Sequence, residues 1–229
     1  MKNNVGKFIS STISKNKYQN KMSIILSSFT FLNIFFGYKV YKKINEYLYF
    51  NHEEITHIVY FKLEKNNRYY GTIDIGLFGN KAPKSINNFI CLASNENIKS
   101  YRNSVLNKIV PNYIISLGQL KEGRDNKDFI SIYDNAYIED EMGDNRFCEP
   151  GLVALCNKGS PNTNVSQFFI TLDDLPMFND KFIVIGRVLK GLDSLNYIAN
   201  EIGTLNGTPL ETINISDCGI YNYEDYFKV

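Results

Sequence analysis

Short alternating segments, rather than long amphipathic helices, make up most of residues 56–221, and this restricts the domain to mainly β folds. Apolar and polar residues alternate there with the two-residue period of a strand. The predicted strands are residues 57–63, 70–77, 105–110, 113–117, 152–156, 166–172, 182–188 and 212–218. A helical period occurs in two segments, which predicts helices over residues 82–93 and 192–202. This mixture favours a closed or nearly closed antiparallel β-barrel.

Charge is distributed unevenly along the chain. Residues 1–45 contain eight Lys and no acidic residue, whereas residues 46–229 contain 17 basic and 24 acidic residues. A nucleic-acid-binding protein carries its basic patch on the folded domain, so this distribution argues against nucleic acid as a partner. We divide the chain into a basic and hydrophobic leader (1–45), a linker (46–55), a globular domain (56–221) and a C-terminal tail (222–229).

The leader contains an uncharged segment, residues 22–38, which is bracketed by Lys21 and Lys39. Its length is at the short end for a membrane span and exceeds most cleavable signal cores. Three interpretations stay open: an uncleaved signal anchor, a cleaved secretory signal or organellar presequence, and a buried N-terminal hydrophobic helix. The first two predict a protein that is membrane-associated, through residues 22–38, or located in an organelle of the secretory pathway or in the mitochondrion.

The cysteines give no sign of a metal site. Cys91, Cys148, Cys156 and Cys218 form no CxxC pair, and the chain has two His. Zinc sites need closer ligand pairs. The pattern favours buried free thiols over disulfides, and nothing in the sequence indicates a metal or an organic cofactor.

Residues 159–171 join a turn-forming loop directly to a strand. Gly-Ser-Pro-Asn at 159–162 is typical of turns. In the strand that follows, Gln167 and Phe169 fall on one face and Phe168 on the other. A ring beside a carboxamide can bind a peptide, because the ring packs an apolar side chain and the amide pairs with main chain. The alternative is an ordinary barrel strand with Phe169 in the core.

Five motifs in order place this loop in a wider pattern. They are Leu-Phe-Gly-Asn-Lys-Ala-Pro-Lys-Ser at 77–85, Lys-Ile-Val-Pro at 108–111, Pro-Gly-Leu-Val-Ala at 150–154, Pro-Asn-Thr-Asn-Val-Ser-Gln-Phe-Phe-Ile-Thr at 161–171 and Ile-Ser-Asp-Cys-Gly at 215–219. Together they resemble the cyclophilins, a family of peptidyl-prolyl cis-trans isomerases, over about residues 56–221. The resemblance implies an eight-stranded antiparallel barrel capped by two helices, and catalysis at Xaa-Pro bonds in protein folding.

The resemblance also implies a site. Lys108 stands where the family has its catalytic Arg. The substrate-binding positions are Tyr113, Ile114, Ser116, Cys156, Asn157, Gln167, Phe169, Met177, Phe178 and Phe182. Some depart from the family pattern: Ser116 replaces a Gln, and Phe182 replaces a His. One extra residue also lies between Cys156 and Pro161.

Two functions remain open on this basis. The first is a weak isomerase, because Lys keeps the positive charge of Arg but lacks its planar fork of donors. The second is a catalytically inactive domain that binds proline-containing peptides or serves as a structural subunit of a larger assembly. Both predict a proline-containing protein segment as the partner.

Overall fold

A computed structural model describes residues 36–41, 53–94, 99–122, 127–141, 143 and 145–228. The chain divides into two compact units, Met1–His52 and Glu53–Val229. In the first unit residues 36–41 are helical, and the rest of the predicted hydrophobic segment 22–38 lies outside the described residues. Within the described ranges, no helix combines the length and the apolar character that crossing a bilayer requires.

The second unit is built around an antiparallel sheet. The strands in the described part of the chain are β1 His57–Lys65, β2 Arg68–Leu77, β3 Lys108–Val110, β4 Ile114–Leu117, β5 Lys121–Glu122, β6 Lys127–Asp128, β7 Leu152–Asn157, β8 Asn164–Thr171, β9 Val184–Lys190, β10 Thr204–Leu205, β11 Thr208–Pro209 and β12 Asn214–Tyr221. Eight of them form one sheet in the order β12-β1-β2-β9-β7-β8-β4-β3. Every pair in that sheet is antiparallel. The predicted eight-stranded antiparallel architecture is confirmed.

The two edges of this sheet are joined by the chain that leads into β3. Val105 forms an isolated antiparallel bridge with Asn214 of β12. Next to it, the Leu106 N–H donates to the Ile213 carbonyl at 2.9 Å. These bonds bring the β12 edge next to the segment before β3, so the sheet curls into a nearly closed barrel and both edges gain partners.

Two helices complete the barrel unit: α1 Pro83–Ala93 and α2 Leu192–Glu201. Pro83 suits the first turn of α1, because its missing N–H would lack a partner there. The Glu141 carboxylate accepts from the backbone N–H groups of Lys84 and Ser85 at 2.8 and 2.7 Å. The Glu141 side chain, from a distant loop, therefore caps α1, and its negative charge interacts favourably with the positive end of the helix dipole.

The barrel interior holds four rings, which we call the interior cluster: Phe61, Phe89, Tyr101 and Phe168. All four are fully buried. Their centroids lie 4.9 to 5.9 Å apart. The Tyr101 hydroxyl donates to the Ser166 carbonyl at 2.6 Å, which satisfies the one polar group that the cluster buries.

Some predicted boundaries shift in the structure. The segment predicted as strand 105–110 is regular only from Lys108, because Val105 and Leu106 pair with the other edge of the barrel instead. The hairpin of β10 and β11 was not predicted, and neither was a short helix, α3 Tyr223–Tyr226, in the tail. None of these shifts changes the architecture.

Candidate active site

A row of side chains crosses three neighbouring strands on the outer face of the barrel. Lys108 of β3 pairs in register with Ser116 of β4, and Ser116 pairs with Phe169 of β8. Directly opposed residues on antiparallel strands project from the same face. The cation, the hydroxyl and the ring that the sequence assigned to one site therefore share one face, with Lys108 about 10 Å from Phe169 across two strand spacings.

Phe169 belongs to a second group of rings, which we call the groove cluster: Tyr113, Phe147, Phe169, Phe178 and Phe182. Phe169 is 5.7 Å from Phe178 and 5.1 Å from Phe182 between ring centroids. Phe178 and Phe182 are themselves 5.0 Å apart. As a result Phe169 is only 3% exposed, whereas Phe178 and Phe182 are half-buried.

The remaining apolar positions lie at the border of this cluster. The Tyr113 ring is 5.5 Å from that of Phe178 and is half-buried. Ile114, also half-buried, pairs with Thr171 at the end of β8. Met177 is 49% exposed in the 3₁₀ turn Pro176–Phe178. Met177 therefore lies on the surface beside the site rather than among the rings.

Lys108 is exposed, and its aliphatic chain runs along the β10–β11 hairpin. A Cβ built on Gly207, which has φ +83°, would be 3.4 Å from Lys108 Cε. Among the described residues no hydrogen bond or ion pair engages the side-chain ammonium of Lys108. Burial raises the pKa of the nearby Cys156 thiol, and the Lys108 charge is the smallest of the effects that oppose this rise.

The half-buried Cys156 thiol lies beside Ser116, in a poorly hydrated position. Burial raises the pKa of its thiol to about 11, against smaller lowering effects of the Ser116 hydrogen bond and of the Lys158 and Lys108 charges. Its sulfur lies 3.8 Å from the Ser116 hydroxyl oxygen. Desolvation outweighs two nearby cations, which indicates low polarity around this atom.

The two carboxamides of the site are held by the protein. Gln167 Nε2 donates to Ser116 Oγ at 2.8 Å, and that hydroxyl donates in turn to the Phe168 carbonyl at 3.2 Å. Asn157 Nδ2 donates to the Lys181 carbonyl at 2.9 Å, and its oxygen accepts from the Gly159 N–H at 3.1 Å. Both amides are therefore positioned in advance of any ligand.

The comparisons with known proteins agree with this fold. Residues 60–220 match the family model described as cyclophilin type peptidyl-prolyl cis-trans isomerase/CLD. The chain belongs to the cyclophilin family. It is 35% identical over 169 residues to peptidyl-prolyl cis-trans isomerase D of Saccharomyces cerevisiae, covering 72% of this chain and 73% of that protein.

Two further relatives differ in length. Peptidyl-prolyl cis-trans isomerase B of Saccharomyces cerevisiae is 33% identical over 174 residues, covering 75% of this chain and 83% of that protein. The human E3 SUMO-protein ligase RanBP2 is 31% identical over 167 residues, which cover 73% of this chain and only 5% of the ligase. A region similar to this domain thus makes up most of one relative and a small part of another.

The cyclophilin groove of this chain includes one ring that the sequence did not indicate. Phe147 stacks on Phe169 at 6.0 Å between centroids, with 15° between the ring planes. Its backbone N–H donates to Asn179 Oδ1 at 2.8 Å, and Asn145 Oδ1 accepts from the Val184 N–H at 3.0 Å. The segment around Phe147 is thereby pinned to the loop that carries Phe178 and Phe182. No periodic pattern marks it, because it is an irregular loop.

Cys218 is fully buried, whereas Cys91, Cys148 and Cys156 are half-buried. Among the residues that the structure describes, no group of three or more His, Cys, Asp or Glu side chains is arranged to hold a metal ion.

Proposed function

We propose that this cyclophilin domain isomerises Xaa-Pro peptide bonds at low turnover, with Lys108 as the catalytic cation and the groove cluster as the proline site. The observation that supports this most strongly is the row Lys108–Ser116–Phe169 across three strands. It sets a positive charge and an aromatic surface on one face of the barrel.

To catalyse this isomerisation, the protein mainly has to position a cation beside the Xaa-Pro bond. An Xaa-Pro bond isomerises over a barrier of about 18–20 kcal/mol, because the C–N bond has partial double-bond character. In the twisted transition state the proline nitrogen becomes pyramidal and regains a lone pair. A cation that donates to this nitrogen stabilises the twisted state more than either planar state, and each ~1.4 kcal/mol of such preference gives about a tenfold rate.

Low turnover is proposed for two reasons. Lys108 presents one compact, strongly hydrated ammonium, which cannot hold the carbonyl oxygen and the ring nitrogen together as a guanidinium can. In addition, the rings of Phe178 and Phe182 cover Phe169 and leave it almost inaccessible. A pyrrolidine that contacts Phe169 has to displace one of these rings first.

The covering of Phe169 by Phe178 and Phe182 also favours a second candidate function. A domain that binds proline-containing segments, alone or as a subunit of a larger assembly, needs the apolar groove and the carboxamides but no competent cation. Binding energy spent on moving a ring lowers affinity without abolishing recognition. The RanBP2 match, which is a small part of a much longer protein, fits such a use.

An exchange assay on the full-length chain separates the two. We expect cis-trans exchange of an Ala-Pro peptide, followed by NMR, to be accelerated at high protein concentration. Lys108→Arg should raise kcat/KM by about tenfold and Lys108→Ala should lower it by about tenfold. Lys228→Ala, which removes the same charge from an exposed C-terminal position, is the matched control and should leave the rate unchanged.

The outcomes point to different conclusions. If the folded protein binds the peptide but none of the variants accelerates exchange, the isomerase proposal is rejected and the binding function is favoured. If Lys108→Ala retains the full rate, a cation other than Lys108 is responsible. If no peptide binds at all, both candidates fail.

We further propose that residues 1–45 direct this domain to a membrane or to an organelle of the secretory pathway or the mitochondrion. Eight Lys without an acidic residue, together with the uncharged segment 22–38, support this role. Sequencing the amino terminus of the mature protein tests it. A chain that starts near residue 45 indicates a cleaved presequence, whereas an intact leader in the membrane fraction indicates an anchor, and an intact leader in the soluble fraction contradicts both.

A further inference from the structure

A cavity of about 330 Å³ opens next to the proposed proline site. It lies between the loop at 159–161 and the chain at 180–182, and it shares Asn157 and Phe182 with the groove. None of its charged lining residues belongs to the set that the sequence assigned to the substrate site. The cavity is large enough for one long side chain.

Two carboxylates line the cavity without an ionic partner among the described residues. Asp140 is half-buried and rigidly held: its Oδ2 accepts from the Asn162 N–H at 2.9 Å, and its Oδ1 accepts from Asn164 Nδ2 at 2.7 Å. Asp180 is exposed at the other side, in a left-handed conformation with φ +57°. Each carboxylate oxygen has further acceptor capacity, so both can receive N–H donors from a ligand.

The one cation among the lining residues does not neutralise them. Lys181 is exposed and forms no ion pair within the described part of the chain, and its backbone carbonyl is engaged by Asn157. With two acidic side chains and one basic side chain, the lining carries a net negative charge. The walls also include Pro161 and the ring of Phe182, which suit the aliphatic stem of a long basic side chain.

The distance from the proline site is short. Phe182 is a member of the groove cluster, 5.1 Å from Phe169 between ring centroids, and it also lines the cavity. An extended peptide advances about 3.3–3.6 Å per residue. A side chain one or two residues away from a proline on Phe169 therefore reaches the cavity.

We propose that this cavity is a specificity subsite that takes a Lys or Arg side chain located within two residues of the substrate proline. The inference rests on the proposed function, because it assumes that a proline occupies the groove. It adds the substrate class: basic Xaa-Pro segments rather than neutral or acidic ones. Asp180 and Asp140 supply the charge that discriminates, and Pro161 and Phe182 supply the apolar walls.

Peptide binding to the full-length chain tests this. The probes are Ala-rich peptides with one proline and a single Lys placed at −2, −1, +1 or +2 relative to it, each matched by Gln and Glu peptides. Kd values are measured by NMR titration, following the amides of Gly159 and Phe182. At one of the four positions we expect Lys to bind about threefold more tightly than Gln and about tenfold more tightly than Glu, an effect of the size that exposed ion pairs produce.

Variants attribute this preference to the cavity. Asp180→Asn should reduce the Lys-over-Glu ratio by about threefold, and Lys181→Gln should raise it by a similar factor. Asp225→Asn removes a carboxylate from the C-terminal tail and should leave the ratio unchanged. Asp140→Asn is a poor first choice, because it would disturb the loop that Asp140 holds.

Failure of this inference can be told from failure of the proposed function. If all proline peptides bind with equal affinity, or if the preference ignores Asp180→Asn and Lys181→Gln, the subsite is refuted and the proline site stands. If no proline peptide binds more tightly than a matched peptide with Ala in place of proline, the proposed function fails and the subsite fails with it.

Discussion

Two aromatic clusters lie on opposite sides of the same strand. Phe168 of β8 points into the barrel and joins the interior cluster, whereas its neighbour Phe169 points outward and joins the groove cluster. Both rings are at most 3% exposed. Their surroundings differ: every ring around Phe168 is fully buried, while Phe178 and Phe182 around Phe169 remain half-exposed.

Two neighbouring residues of β8 therefore differ in role: Phe168 stabilises the barrel, and Phe169 lies in the proposed proline site. A ring in the interior cluster can move only if the barrel opens, because close-packed neighbours surround it on all sides. In the groove cluster the half-buried rings of Phe178 and Phe182 can turn toward solvent at the cost of a few contacts. Burial of Phe169 therefore does not by itself make it a core residue, and the comparison between the two clusters can be tested.

The largest expected effect is that of Phe168→Ala. Truncating a fully buried ring leaves a cavity that the barrel cannot fill, and we expect the free energy of unfolding to fall by about 3–5 kcal/mol. Phe169→Ala should cost about 1–2 kcal/mol less, because Phe178 and Phe182 can collapse into the space or water can enter. Urea unfolding measures both. Equal losses would show that the groove cluster is simply a second core.

The next effect concerns the Cys156 thiol beside Ser116. With its pKa raised to about 11, Cys156 carries about a hundredfold less thiolate at neutral pH than a cysteine with an ordinary pKa near 9. A more basic thiolate is also the stronger nucleophile, which offsets about half of this effect. We therefore expect iodoacetamide to modify Cys156 about tenfold more slowly in the native protein than in the urea-unfolded chain, as read by mass spectrometry of the Cys156 peptide. Similar modification rates in the native and unfolded states would show that burial does not raise the pKa of the Cys156 thiol.

Much of this comparison was predictable from sequence. The two-residue period alone places Phe168 and Phe169 on opposite faces, and the 3.6-residue period gave both major helices to within a residue. The hairpin at β10 and β11 was missed although Asn-Gly at 206–207 is a strong turn signal. Its strands have two residues each, too few to show a period.

The rest depends on contacts that no local pattern reports. Phe147 lies in an irregular loop and joins the groove cluster only because Asn179 and Asn145 tie two distant segments together. Asp140 and Asp180 line one cavity although they are 40 positions apart in sequence. Long-range placement of this kind is a product of the nearly closed barrel, so the motif residues, Phe178 and Phe182 among them, were predictable while Phe147 and the acidic cavity were not.

A smaller effect is expected from Tyr101→Phe in the interior cluster. The change leaves the Ser166 carbonyl without its hydroxyl donor, which should lower the free energy of unfolding by about 1–2 kcal/mol at neutral pH. Burial also raises the pKa of Tyr101 well above its usual value. The neutral phenol is thus favoured in the folded state, and its contribution is complete below about pH 10, the value of an unfolded Tyr.

Above that pH the unfolded chain releases the phenol proton while the folded barrel holds it. Wild-type stability should therefore fall as the pH rises from about 10 toward the higher folded pKa, and the gap between wild type and Tyr101→Phe should narrow. Thermal unfolding at pH 7, 9, 10 and 11 measures this gap. A gap that stays constant or widens with pH would mean that the folded barrel does not raise the pKa of Tyr101.

The smallest expected effect is that of Phe178→Leu, and it decides what the cover over Phe169 does. Turning the Phe178 ring out of its preferred rotamer costs about 0.5–1.5 kcal/mol, and a proline ligand has to supply that energy. Leu is shorter and should uncover part of Phe169, so we expect proline-peptide affinity to rise about threefold. Phe178→Tyr keeps the ring and should leave affinity unchanged.

If Phe178→Leu weakens binding instead, Phe178 is a wall of the proline site rather than its cover, and the groove cluster is then already open to its ligand. In that case the low turnover proposed for this cyclophilin has to be attributed to Lys108 alone, because no ring would need to move before the proline enters.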